Sequence, residues 1–312
     1  MIIVPSNVSA LVSPNPLTVT ATITVGASPW GVAVSPDGTK VYTANNSNSV
    51  SVINTATNTV SSTITINPGR SPGSLVISPS GTKVYVANYL NNSVSVISTA
   101  TNSLLSEIGG LGSYPWGVAV SPDGTKVYTA NLLGSSVSVI STATDSVTAT
   151  ITGLGTYPNG VAVNPAGTLL YVVRGGGSSF LLVINTATNA VINTIAISPY
   201  AQAVTVSRDG TKVYVGHESA TGLVSVISTA TNAVTNTITV GSTVYGVAVS
   251  PDGTKVYTAN SGGASVSVIN TATNAVTNTI TVGSTPYDVA ISPDGTKVYT
   301  ANSGGSSVSV IT

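Results

Sequence analysis

One phrase, Ser-Pro-Asp-Gly-Thr-Lys-Val-Tyr-Thr-Ala-Asn or a close variant of it, recurs seven times along the 312 residues of the chain. The steps between copies are 43 residues, with a last step of 42, as the turn glycines show: Gly38, Gly81, Gly124, Gly167, Gly210, Gly253 and Gly295. A period of about 40 to 45 residues is typical of four-stranded propeller blades. The repeat therefore predicts one ring, although the chain length alone would suggest two domains.

Each repeat divides into four short runs that are rich in Val, Ile, Thr and Tyr, the residues that strands prefer. In the sixth copy these runs are residues 246–250, 255–260, 265–269 and 275–282. Pro-Asp-Gly and Thr-Ala-Thr-Asn supply the turns between them, and no segment has a sustained apolar period of a helix. We predict an all-β fold, a seven-bladed β-propeller of four-stranded antiparallel blades.

The two ends of the chain predict how the ring closes. The chain ends on a third strand, residues 307–312, whereas residues 17–25 alternate like a fourth strand with no partners before it. We predict that the N-terminal strand 17–25 completes the last blade, which would cover two open strand edges. The chain would then be a single β-propeller domain over 1–312, with an N-terminal extension at 1–16 and blades at 28–68, 71–110, 114–153, 157–196, 200–240, 243–283 and 285–312.

Composition excludes several classes of partner. The chain has nine basic and nine acidic residues, and six of the basic ones are spread one to a blade: Lys40, Lys83, Lys126, Lys212, Lys255 and Lys297. No basic stripe for nucleic acid can form from them, and no apolar run is long enough for membrane insertion. Cysteine is absent, so disulfides and thiolate metal sites are excluded. A surface rich in Ser, Thr, Asn and Gly favours an extracellular or cell-surface location, although residues 1–5 show no signal peptide.

The blade sequence closely resembles the YVTN-type β-propeller repeats, first associated with archaeal surface-layer proteins. The resemblance rests on the repeated phrase together with Ser-Val-Ser-Val-Ile-Asn-Thr-Ala-Thr-Asn and Thr-Ile-Thr-Val-Gly, and it covers residues 17–312. It implies the propeller fold; for function it implies a cell-surface module, a lactonase-like enzyme or a redox-enzyme subunit, because a fold does not carry function. Lactonase-like propellers hold a metal with several carboxylates or amides at the channel, where this chain offers only Asp288.

Function in a symmetric ring has to come from departures from symmetry. Three residues beyond the repeat tyrosine, five blades have Asn, whereas blade 4 has Arg174 and blade 5 has His217. Near the starts of the innermost strands the matched residues are Trp30, Gly73, Trp116, Asn159, Gln202, Tyr245 and Tyr287. We expect both sets to lie on one face of the ring, around the mouth of the channel.

These residues form the candidate ligand-binding site: Arg174, His217, Glu218, Asn159, Gln202, Trp30, Trp116, Tyr245 and Tyr287. An arginine beside amides and aromatic rings is the chemistry of a site for a carboxylate, a phosphate or a sugar. The alternative interpretation is that blades 4 and 5 have drifted, since blade 4 also replaces the repeat lysine by Leu169.

The other repeat positions are predicted to be structural. The aspartates of the Pro-Asp-Gly turns belong to hairpins, the repeat tyrosines pack between blades, and the repeat asparagine satisfies turn backbone, where it tolerates left-handed geometry.

Catalysis needs converging groups, and this chain has few. His217 is the only histidine, so a multi-histidine metal site is excluded and a Ser-His-Asp triad would have to be built on it. We predict no catalytic residue, no metal, no cofactor and no enzymatic activity. The leading interpretation is a monomeric, non-enzymatic binding or interaction module that presents the channel mouth to a carbohydrate, a small anion or a protein partner. The alternatives are a purely structural or recently amplified propeller without a specific ligand, and a lactonase-like hydrolase.

Overall fold

Seven four-stranded antiparallel sheets form the blades of a propeller in the computed structural model, which describes residues 17–67 and 69–312. Each innermost strand packs against the innermost strands of the two neighbouring blades, and β26 packs against β2, so the ring is closed. The predicted all-β, seven-bladed fold is confirmed. The predicted N-terminal extension at 1–16 lies outside the described residues.

The blades are numbered in chain order, with the innermost strand first. Blade 1 comprises β2 (Pro29–Val34), β3 (Lys40–Asn45), β4 (Ser49–Asn54) and β5 (Thr59–Thr65). Blade 2 comprises β6 (Pro72–Ile77), β7 (Lys83–Asn88), β8 (Ser93–Ser98) and β9 (Ser103–Ile108). Blade 3 comprises β10 (Pro115–Val120), β11 (Lys126–Asn131), β12 (Ser136–Ser141) and β13 (Ser146–Ile151). Blade 4 comprises β14 (Pro158–Val163), β15 (Leu169–Arg174), β16 (Ser179–Asn185) and β17 (Val191–Ile197).

The remaining blades follow the same order. Blade 5 comprises β18 (Ala201–Val206), β19 (Lys212–His217), β20 (Leu223–Ser228) and β21 (Ala233–Thr239). Blade 6 comprises β22 (Val244–Val249), β23 (Lys255–Asn260), β24 (Ser265–Asn270) and β25 (Ala275–Thr281). Blade 7 comprises β26 (Pro286–Ile291), β27 (Val298–Asn302), β28 (Ser307–Ile311) and β1 (Val19–Thr24). Short 3₁₀ turns occupy Ser261–Gly263 and Ser303–Gly305. Among the described residues, no helix has the length and apolar character needed to cross a membrane.

The N-terminal strand closes the ring as predicted. Strand β1 pairs antiparallel with β28, with Ile23 opposite Val308. The backbone N–H of Thr18 donates to the carbonyl of Thr312 at 3.1 Å, and the N–H of Thr312 donates back to Thr18 at the same distance. These bonds make β1 the fourth strand of blade 7.

The hydrophobic core lies between the blades. Tyr128 and Val139 of blade 3 belong to one buried cluster with Leu170 and Leu182 of blade 4, and the other neighbouring blades meet in the same way. The repeat tyrosines are 0% to 3% exposed, so they pack between blades as predicted. Burying a side chain of this size stabilises the fold by roughly 1.5 to 3 kcal/mol.

The turns explain why the repeat is so regular in sequence. All seven turn glycines have φ of 72° or 73°, a left-handed conformation that favours glycine. In the first turn Asp37 accepts hydrogen bonds from the Ser35 hydroxyl at 2.5 Å and the Thr39 N–H at 3.0 Å. These bonds lower the pKa of Asp37, the Ser35 hydroxyl most of all. The turn aspartates therefore hold hairpins together.

Candidate functional site

The innermost strands bring their second residues to one mouth of the channel. In every blade the inner strand pair has a register irregularity after its first residue, as between Pro29 and Gly31. Such a bulge redirects a side chain. The side chains placed there are the matched set from the sequence, Trp30, Trp116, Asn159, Gln202, Tyr245 and Tyr287, with Gly73 in blade 2.

Aromatic rings cover one half of the mouth. The Trp30 ring lies 5.3 Å from Trp116, 5.5 Å from Tyr287 and 5.4 Å from Tyr89, centroid to centroid. Tyr245 stacks on Tyr287 at 4.3 Å with an interplanar angle of 8°. Neighbouring aromatic rings contribute about 0.5 to 1.5 kcal/mol per pair beyond the area that they bury. The rings therefore form a rigid partition across this part of the channel.

A chain of hydrogen bonds covers the other half. The Asn159 amide donates to Gln202 Oε1 at 2.5 Å, and Gln202 Nε2 donates to Glu218 Oε2 at 2.6 Å. Tyr245 donates its hydroxyl to Glu218 Oε1 at 3.0 Å. Burial, and to a smaller extent the charge of Glu218, raises the pKa of Tyr245 to about 12, so the phenol stays protonated. Glu218 is thus held as an oriented hydrogen-bond acceptor.

An open cleft of about 340 Å³ lies over this polar half. Its floor and walls include Trp116, Tyr157, Gln202 and Glu218, and Glu218 is the only charged residue among those that line it. The Tyr157 ring is 48% exposed at the edge of the cleft. The cleft therefore combines one carboxylate, two side-chain amides and accessible aromatic faces.

Arg174 and His217 lie apart from the cleft. The Arg174 guanidinium stacks over the Phe180 ring, 4.2 Å from its centroid. His217 is fully buried; its Nδ1 lies 3.1 Å from the Pro199 carbonyl oxygen and its Nε2 2.9 Å from the Ser225 hydroxyl. Seven of the nine predicted site residues thus meet at the mouth. That they bind a ligand stays a prediction.

The repeat asparagine explains the position of His217. Asn131, its counterpart in blade 3, is buried at the end of β11 and donates to the hydroxyls of Ser136 at 3.0 Å and Ser138 at 2.9 Å. The prediction that this asparagine satisfies turn backbone in a left-handed conformation is wrong. It lies in an extended strand and bonds to serines of the next strand, and His217 makes the same contact with Ser225.

Replacing His217 by two different residues should separate its structural role from a binding role. We expect His217→Asn, the residue of five other blades, to keep the bond to Ser225, whereas His217→Leu leaves the buried hydroxyl unpaired and costs about 1 to 3 kcal/mol. Burial also lowers the pKa of His217, so its contribution to stability is lost as the pH falls below about 6.5. Urea unfolding of both variants and the parent at pH 7.5 and pH 5.5 measures these effects. Equal destabilisation by Asn and Leu would refute this assignment.

Tyr89 is a residue of the mouth that the sequence analysis missed. It follows the repeat asparagine of blade 2 directly, at the position that Glu218 has in blade 5. The position is occupied by Asn46, Tyr89, Leu132, Gly175, Glu218, Ser261 and Ser303. The residue differs between blades although the preceding position is asparagine in five of them. This difference is the signal that could have identified Tyr89.

The acidic residues near the channel do not fit a metal centre of the kind that lactonase-like propellers hold. Glu218 is the only acidic residue that lines the cleft at the mouth, and Asp288 is the only acidic residue at the third positions of the inner strands. Over residues 17–67 and 69–312, no group of three His, Cys, Asp or Glu residues lies close enough together to hold an ion. We therefore derive no metal-dependent step.

Comparisons with known proteins support the fold and revise one prediction. A family model described as "Lactonase, 7-bladed beta-propeller" matches residues 13–111. Among solved structures, hydrazine synthase of Kuenenia stuttgartiensis is similar to this chain over 91% of this chain and 95% of that one, with a TM-score of 0.83 and 22% identity. At this identity the likeness shows the fold alone. No curated protein sequence matches the chain.

The match to the lactonase family model contradicts the prediction that the protein is not an enzyme. That prediction rested on the small number of converging catalytic groups, and it considered mainly histidine-based and metal-based sites. A family of hydrolases matches the part of the chain that contains β1 and blades 1 and 2. The resemblance to surface-layer repeats stays a prediction.

Proposed function

We propose that the cleft at the channel mouth binds a neutral polyhydroxylated small molecule, a sugar or a sugar-derived lactone. The observation that carries this proposal is the orientation of Glu218 by Gln202 and Tyr245, at hydrogen-bond distances of 2.6 and 3.0 Å, beside accessible aromatic rings. Fixed carboxylate and amide groups accept and donate hydrogen bonds to hydroxyls, and aromatic rings stack on the apolar faces of a sugar ring.

The charge of the cleft favours a neutral ligand over an anion. Glu218 is the only charged residue lining it, and Arg174 is stacked on Phe180 away from it. A carboxylate or phosphate would approach a negative charge without a cation to bind it. This supports a carbohydrate among the ligands considered from the sequence.

Hydrolysis of a bound lactone is the second candidate function, and the match to the lactonase family model favours it. Glu218 would act as the general base. Water attacks the lactone carbonyl carbon while the Glu218 carboxylate takes its proton. The ring C–O bond then breaks, and the leaving alkoxide takes that proton back from Glu218, which gives the hydroxy acid and restores the carboxylate. Such a base contributes about 100- to 10,000-fold to a rate.

We also propose that the protein is extracellular or lies at the cell surface. A composition with few charges and many hydroxyl and amide side chains supports an extracellular or cell-surface setting.

The test uses calorimetric titration of monosaccharides and of glucono-1,5-lactone, with a pH-stat assay for lactone opening. We expect Glu218→Gln to weaken binding at least tenfold, because hydrogen bonds to a charged group contribute about 1.5 to 3 kcal/mol. If the protein opens the lactone, this variant should lose at least 100-fold in rate. Glu107→Gln is the matched control, since Glu107 pairs with Arg70 at 2.9 Å outside the cleft.

Two results would overturn the proposal. Equal affinity of the parent and Glu218→Gln would place binding elsewhere. Failure of every sugar and lactone to bind the parent would favour the purely structural propeller. Binding without lactone opening would leave the first candidate and remove the second.

A further inference from the structure

A second chamber lies in the central channel, below the rings of Trp30, Trp116, Tyr245 and Tyr287. It shares Gln202 and three of these rings with the wall of the mouth cleft. Its volume is about 210 Å³. The third residues of all seven inner strands line it, and they are small in six blades: Gly31, Ser74, Gly117, Gly160, Ala203 and Gly246. Blade 7 has Asp288 at this position, and Asp288 is the only charged residue among those lining the chamber.

The glycines at this level leave no room for a side chain because the next blade is close. A Cβ added to Gly31 would meet the carbonyl oxygen of Gly73 at 2.6 Å, and one added to Gly160 would meet that of Gln202 at 2.7 Å. Backbone carbonyl oxygens of the neighbouring inner strand therefore lie close to glycines that line the chamber. Together with the carboxylate of Asp288, they make the chamber a region of hydrogen-bond acceptors.

Asp288 has no cationic partner among its contacts. One oxygen accepts the N–H of Val32 in blade 1 at 3.1 Å, and the other accepts the N–H of Val289 at 2.9 Å. The two ion pairs of residues 17–67 and 69–312 are Arg70 with Glu107 and Lys83 with Asp145. A carboxylate inside a protein is costly unless a cation pairs with it. The chamber thus holds an uncompensated negative charge.

Aliphatic residues make up most of the lining of the channel below the chamber. The cavity at its lower opening has a volume of about 630 Å³. The aliphatic side chains that line it include Val34, Val120, Val163, Val206, Val249 and Ile291. Arg208 also lines this opening, at a position where the six other blades have proline. The lower channel therefore accepts an apolar chain and presents a positive charge at its exit.

We propose that the channel binds a small primary alkylammonium ion, with the ammonium group at Asp288 and the alkyl chain along the lower channel. The ammonium supplies the missing positive charge and three N–H donors for the acceptors of the chamber. The alkyl chain buries against the valine wall. Arg208 disfavours a second positive charge at the far end, so the site selects monoamines over diamines.

Calorimetric titration at pH 8 with ethylamine, butylamine and hexylamine tests this proposal. Burial raises the pKa of Asp288 to about 6, so the carboxylate is ionised there. We expect affinity to rise about fourfold per methylene, with hexanol and 1,6-diaminohexane binding at least tenfold more weakly than hexylamine. Asp288→Asn should lose hexylamine binding, while Asp294→Asn, which removes a charge from a turn of the same blade, should keep it.

Asp288→Gly provides a second variant, because glycine occupies this position in four other blades and is compatible with the fold. Hexylamine that binds both Asp288 variants as tightly as the parent would overturn the proposal, as would failure to bind the parent. Equal affinity for hexylamine and hexanol would also overturn it, since the ammonium group would then contribute nothing. Glu107 lines neither the chamber nor the mouth cleft, so Glu107→Gln should leave hexylamine affinity unchanged.

Discussion

Deletion of residues 1–25 is expected to abolish the single cooperative unfolding transition of the protein and to make it associate. The deletion removes β1, which pairs with β28 along its length. Ile23 would no longer cover Val308 and Val310, with which it forms a buried cluster. The loss of one buried isoleucine side chain costs about 2 to 5 kcal/mol, and the deletion also removes the ladder of backbone bonds. The total approaches the 5 to 15 kcal/mol that stabilises a typical domain.

Association follows from the same change, because β28 becomes an open edge with unpaired backbone groups. Calorimetry and size-exclusion chromatography of the truncated chain measure both effects. Deletion of residues 1–16 is the matched control, since it retains β1, and Ile23→Ala removes only the side chain. A chain lacking residues 1–25 that remains monomeric and melts as the parent does would show that ring closure does not depend on β1.

The sequence predicted the fold because its strongest signals are local and are repeated. Each Pro-Asp-Gly turn needs a residue with positive φ, and all seven turn glycines have it. The closing strand could also be predicted, because residues 17–25 have the alternation of a fourth strand and the last repeat lacks one. These features depend on neighbouring residues along the chain, which a sequence displays directly.

The mouth of the channel could be predicted only in part. Comparison of equivalent positions identified Trp30, Gln202 and Tyr245, because every blade contributes to the ring at the same height. It could not separate polar side chains that enter the cleft from those buried within a blade. Asn, Arg and His are all polar, and their burial depends on the packing of the second strand against the third.

Comparing the repeat asparagine position together with its serine partner in the next strand would have separated Arg174 from His217. The serine that bonds the repeat asparagine has counterparts across the blades, and it is Ser225 in blade 5. In blade 4 the counterpart is Leu182, opposite Val172, and there the asparagine is replaced by Arg174. Both positions change in blade 4, whereas blade 5 changes only the asparagine. His217 therefore keeps a hydroxyl partner, and Arg174 has none at that position and stacks its guanidinium on Phe180.

The channel has its own departures from symmetry, and they are single substitutions. Asp288 stands where four blades have glycine, and Arg208 stands where six have proline. Neither could be placed near a cavity from the sequence alone, because the channel forms only when all seven blades meet. Their opposite charges lie at different levels of one channel, which the ring closure creates.

Asp288→Asn is expected to stabilise the protein at neutral pH and to have little effect in acid. Burial raises the pKa of Asp288 to about 6 from the 3.8 of an unperturbed aspartate. Below about pH 3.8 the carboxyl is protonated in both the folded and unfolded chains, so it costs nothing. As the pH rises towards 6 the unfolded chain ionises first and folding becomes less favourable. Above that pH the cost is constant at about 3 kcal/mol, because one pKa unit corresponds to about 1.4 kcal/mol.

Urea unfolding of the parent, Asp288→Asn and Asp288→Gly between pH 3.5 and pH 8 measures this cost as a difference between variants at each pH. The comparison is necessary because His217, whose pKa burial lowers, acts in the opposite direction over part of the same range and cancels in the difference. Both substitutions should gain stability from pH 4 to pH 7, and hexylamine should reduce the gain by stabilising the parent. If both variants are instead less stable than the parent at pH 7, the hydrogen bonds from Val32 and Val289 outweigh the cost of burial, and Asp288 serves to join blade 7 to blade 1.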